Sequence, residues 1–77
     1  MTPEEADDRI IKSRQMLHKY AAMIDGGTIP HVDTLNLWSQ EIDVLLDIST
    51  DHPGKADKIA SLIGQWRDLI GKIRTVH

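Results

Sequence analysis

Four histidines, His18, His31, His52 and His77, are the residues of this chain best suited to ligate a metal or carry a proton. A metal site would draw two or three of them together with a carboxylate such as Asp25 or Asp33. No two histidines are three or four residues apart, the spacing that puts both on one helix face, and no Glu-x-x-His sequence occurs. We therefore expect neither metal nor cofactor. His31 and His52 read as turn or cap residues, and His18 and His77 as solvated.

The chain has no Cys, which removes thiolate chemistry, disulfides and cysteine zinc sites. Ser13, Ser39, Ser49 and Ser61 stand in no local arrangement with His or Lys that implies a nucleophile. No glycine-rich phosphate cradle or nucleophile elbow occurs, and Gly26-Gly27 reads as a helix stop. No catalytic residue is expected, and the chain reads as a non-enzyme.

What remains is surface. From Tyr20 to Gly54 the chain holds six acidic residues and no Lys or Arg. Residues 1–19 balance four acids against four bases, and residues 55–77 carry five bases against two acids. A basic C-terminal third offers Lys55, Lys58, Arg67, Lys72 and Arg74 to phosphates. Asp57 and Asp68 interrupt it, and the acidic middle would repel DNA. Nucleic acid is thus not the expected partner, although a small helical DNA-binding regulator is the second reading. A dimeric all-helical enzyme is the third.

The elements that must position these residues are helices. Spacings of three and four recur, and strict alternation is sustained nowhere. Thr2-Pro3-Glu4-Glu5 opens the first helix with an N-cap, a first-turn proline and a capping-box glutamate. Ala6, Ile10, Ser13, Leu17, Tyr20 and Ile24 make its inward seam, and Asp25-Gly26-Gly27 ends it. Pro30 holds Ile29 extended, so a second helix begins at Pro30 or at an Asp33 cap. On that helix Leu35, Trp38, Ile42, Leu45 and Leu46 share one arc. Leu37, Val44 and Ile48 form a second apolar stripe, set apart by Glu41. The cluster Thr50-Asp51-His52-Pro53-Gly54 precedes a third helix with a wide apolar arc: Ile59, Leu62, Ile63, Trp66, Leu69, Ile70, Ile73 and Val76. The spacing predicts an all-α, antiparallel three-helix bundle, with helices over about 3–24, 31–49 and 53–75 of a single domain spanning 1–77.

Seventy-seven residues make a thin core, and an isologous homodimer would thicken it. The expected partner or dimer interface comprises Met16, Met23, Leu37, Glu41, Val44 and Ile48; in the alternative, the bundle is irregular and its apolar members belong to the core. Fully burying one such apolar side chain is worth roughly 1.5–3 kcal/mol. Met is an adaptable contact residue because it is unbranched and polarizable. Asp43, Asp47 and Asp51 form an acidic face, which either pairs with Arg67 and Arg74 of the third helix or steers a basic partner. Ala60, Gly64 and Gly71 form a strip of small residues, which marks either a close approach by another helix or two tolerated surface glycines. The acidic N-terminus lacks the apolar core of a secretory leader, and no uninterrupted apolar run approaches the length of a membrane span. A cytoplasmic location is therefore expected. The functional expectation is a protein–protein interaction module: a regulator, inhibitor or assembly chaperone of the kind bacteriophages encode.

Overall fold

A computed structural model describes residues 2–76, apart from the side chain of Val76. The expected packing of Val76 and solvation of His77 lie outside the described residues. Three helices, α1 (Pro3–Asp25), α2 (Thr34–Asp51) and α3 (Ala56–Val76), form an all-α bundle with extents of 37 × 19 × 17 Å. No strand occurs among the described residues.

Local chemistry sets the ends. The Thr2 Oγ1 accepts from the Glu5 N–H at 3.2 Å, and Pro3 occupies the first turn. At the other end Gly27 takes φ 90°, and the Thr28 N–H folds back on the Met23 carbonyl at 2.9 Å. That left-handed step explains the stop, since a side chain there would be strained.

Three boundaries differ from the periodicity reading. Helix α2 starts at Thr34 rather than His31. The His31 Nδ1 accepts from the Asp33 N–H at 3.2 Å and the His31 carbonyl accepts from the Thr34 N–H at 2.9 Å, making a tight turn instead of a first helical turn. Helix α2 also runs to Asp51, until Pro53 forces His52 out of helical geometry (φ −131°, ψ 75°). Residues Pro53–Lys55 form a 3₁₀ turn, so α3 proper begins at Ala56 rather than residue 53.

The core centres on three rings. Trp38 and Trp66 are fully buried with centroids 5.8 Å apart, and Tyr20 meets Trp38 edge-on at 5.1 Å. The Trp66 Nε1–H donates to the buried Ser13 Oγ at 3.0 Å, which places a polar residue inside the α1 seam without an unmet donor. On α1, Ala6, Ile10, Ser13 and Leu17 are buried, and Tyr20 and Ile24 are partly so. On α3, every described member of the expected arc is buried.

Helix α2 is rotated relative to the expected arc. Its buried residues are Trp38, Glu41, Ile42, Leu45 and Ile48, while Leu46 is 45% exposed. Ile48 therefore belongs to the core, not to a second stripe, and Leu46 leaves the core. The cause is Glu41. Read as a polar divider, it points inward because the Arg9 guanidinium of α1 pairs with it. Once Glu41 faces inward, Leu45 four residues on and Ile48 seven on lie on the same side.

Candidate functional site

Arg9 and Glu41 anchor the polar part of a groove between α1 and α2. The Arg9 Nη2 donates to the Glu41 Oε2, and the Glu41 side chain is only 8% exposed. Below the pair lie the rings of Tyr20, Trp38 and Trp66. Met16 lines the α1 side, and Leu37, Gln40 and Val44 line the α2 side, enclosing about 290 Å3. Leu37 is 58% exposed, more than any other large apolar side chain among the described residues.

Three buried polar atoms in the groove residues have no hydrogen-bond partner: Arg9 Nη1, Trp38 Nε1 and Glu41 Oε1. Two are donors and one is an acceptor. Leaving such a group unmet costs roughly 1–3 kcal/mol each, more for charged groups. The guanidinium and carboxylate cancel in charge, so the floor is polar yet neutral overall.

Met16, Leu37, Glu41 and Val44 of the expected interface thus come together in one groove. Met23 is partly buried and does not line it, and Ile48 is 3% exposed in the core. Glu41 is an internal ion-pair partner rather than an exposed contact. Arg9 was missed because a lone arginine in a charged first helix reads as solvated; its only sequence signal is its place one turn before Ser13 on the seam's edge.

The acidic residues Asp43, Asp47 and Asp51 are exposed. They do not pair with Arg67 or Arg74: the ion pairs among the described residues are Arg9–Glu41 and Lys55–Asp7. The hydrogen bond from Lys55 Nζ, at 2.6 Å, holds the Asp7 carboxyl below the usual carboxylate range. Ala60, Gly64 and Gly71 face outward, and a Cβ built on either glycine would meet nothing within 4 Å. Among the described residues no helix packs on that strip, so the close approach of another helix is not made within the chain.

Among the described residues no three His, Cys, Asp or Glu side chains converge on a common point. No helix is long and apolar enough to cross a membrane. A larger depression of about 460 Å3 lies at the end of the bundle, lined by Ile24, Gly27, Ile29, Lys72, Ile73 and Thr75. None of the unmet polar atoms lines it. No protein-family model matches the chain, and no curated protein or solved structure matches it either.

Proposed function

We propose that the protein is a non-enzymatic interaction module that docks another protein on the α1–α2 groove. The observation that carries this reading is the combination of an exposed Leu37 with a buried, neutral, unmet polar floor. An apolar rim around a few convergent polar groups is what a specific contact surface needs, because the rim supplies area and the floor supplies selectivity. Exposed Asp43 and Asp47 beside it add a field that sorts partners by charge. Regulators, inhibitors and assembly chaperones, phage-encoded ones among them, act through surfaces of this sort, and a cytoplasmic setting suits such a role.

Leu37→Asp tests the reading. Exposure of Leu37 means the variant keeps its fold, while a charge in the rim of the groove blocks docking. Partners retained by the native chain and lost by a folded Leu37→Asp variant would bear the proposal out. An unchanged set of partners would remove the groove from consideration.

One observation favours a second reading. Lys58, Arg67, Lys72 and Arg74 of α3 are exposed and stand outside the two ion pairs named above. A DNA-binding role would show as salt-dependent binding that disappears in Arg67→Ala/Arg74→Ala. Absence of binding at low salt would dismiss it.

A further inference from the structure

Resting on the docking role of the α1–α2 groove, we propose that its occupant is a second copy of this chain, paired across a two-fold axis that crosses the helices. The partner's Gln40 side-chain amide then meets the Arg9–Glu41 pair.

Three features of the face point to self-pairing. The first is the chemistry of the floor. It requires acceptors for Arg9 Nη1 and Trp38 Nε1 and a donor for Glu41 Oε1, with no net charge. A primary amide carries both functions and is neutral. Gln40 is exposed at the rim of the same groove, so the face presents what its own floor lacks. An isologous contact demands this self-complementarity. The unmet atoms are not reached by solvent in the free chain. Arg9 is 27% exposed and holds Glu41 through a single nitrogen, so a shift of its guanidinium on pairing would open the floor to the amide.

The second feature is charge along the face. Glu5, Asp8, Arg9 and Lys12 share a shallow depression that continues the groove through Arg9. Lys19 lies one turn past Met16 on the same side of α1. Helix α1 is therefore acidic at its start and basic further along. Helix α2 runs antiparallel to it, with Arg9 meeting Glu41 and the later Tyr20 meeting the earlier Trp38. This brings Asp47 and Asp51 to the acidic end of the face. A two-fold axis perpendicular to the helices turns one copy end for end, so that Lys12 and Lys19 of one lie over the acids of the other. With the axis at the level of Glu41, Gln40 of each copy falls over the opposite ion pair.

The third is size. A long face of this body is 37 Å by 17 to 19 Å, a footprint of the order of the roughly 800 Å2 per partner found in stable dimers.

Sedimentation equilibrium on the full chain tests the proposal. The native protein is expected to be a reversible dimer. Leu37→Asp should be monomeric with an unchanged helical circular dichroism spectrum. Gln40→Ala, which loses the contact twice per dimer, should dissociate about ten- to a hundredfold more readily. A Lys12→Glu/Lys19→Glu chain and a Glu5→Lys/Asp8→Lys chain should each be monomeric alone and pair when mixed. A native chain that stays monomeric into the millimolar range would overturn self-pairing; whether the groove docks a different protein is then decided separately by the Leu37→Asp partner comparison. A native dimer that survives both Leu37→Asp and Gln40→Ala would also overturn it, by placing the contact elsewhere. A monomer whose groove holds only ordered water would do the same.

Discussion

Replacing Arg9 with Met isolates the energetic cost of the buried carboxylate. The Glu41 side chain is 8% exposed, its Oε1 already lacks a partner, and Arg9 supplies the bond to Oε2. Removing one member of a fully buried ion pair costs about 3–5 kcal/mol, because the other charge is stranded. Arg9 is 27% exposed, however, so water can enter the space it leaves and screen Glu41. We therefore expect Arg9→Met to cost about 2–3 kcal/mol. A chain of this length has a total stability of roughly 4–12 kcal/mol, so the loss is large. In melting temperature it corresponds to a drop of roughly 8–24 °C. Urea titration followed by tryptophan fluorescence suits the measurement, since Trp38 and Trp66 are both buried and in contact. It is best done dilute, where association adds nothing to stability. The paired variant Arg9→Met/Glu41→Leu removes both charges and should return to within about 1 kcal/mol of the native chain, or exceed it. A cost below about 0.5 kcal/mol for Arg9→Met would show the pair to be an ordinary solvated one. A double variant as unstable as the single would show that the stranded carboxylate is not the cause.

Ser13→Ala should cost about 1–3 kcal/mol in the same titration, because the fully buried Trp66 Nε1–H loses its acceptor. Gly64→Ala and Gly71→Ala should each stabilise by roughly 0.5–1 kcal/mol, as both sit in α3 with open space where a Cβ would go. Destabilisation or lost association there would mean that another helix does approach the strip. The depressed Asp7 pKa fixes a sign for acid unfolding. Its contribution is present above the unfolded carboxyl pKa and is lost as pH falls through the lower folded value. Asp7→Asn, and equally Lys55→Met, should flatten the stability–pH curve in that acid range and leave it unchanged in shape near neutrality.

Much of the fold can be read from spacing alone. The seam Ala6–Ile10–Ser13–Leu17 and the α3 arc are regular, and both pack as their period implies. Caps and turns were legible too, because Thr2, Pro3, Gly27 and Pro53 act through their own backbone preferences. The failures cluster on α2, where polarity misled. Glu41 counted as a divider because an isolated carboxylate is costly to bury. Its partner lies 32 residues away on another helix, and no local pattern announces that pairing. One inward glutamate rotated the helix, drew Ile48 into the core and turned Leu46 out. The groove is legible only in part for the same reason. Met16, Leu37 and Val44 stand out as apolar residues beyond the core's needs, whereas the unmet atoms of Arg9, Trp38 and Glu41 emerge only from three-dimensional packing.

Two indole N–H signals give the most direct test that the chain pairs with a second copy of itself on the α1–α2 groove. In a 1H–15N correlation spectrum the Trp66 indole, bonded to Ser13, serves as an internal control, and the Trp38 indole reports on the groove. As protein concentration rises, the account predicts that the Trp38 indole signal and the amides of Arg9, Met16, Leu37 and Gln40 shift together. Those of Gly64, Arg67, Gly71 and Arg74 should stay in place. Shifts confined to α3, or no shifts at any concentration, would contradict it.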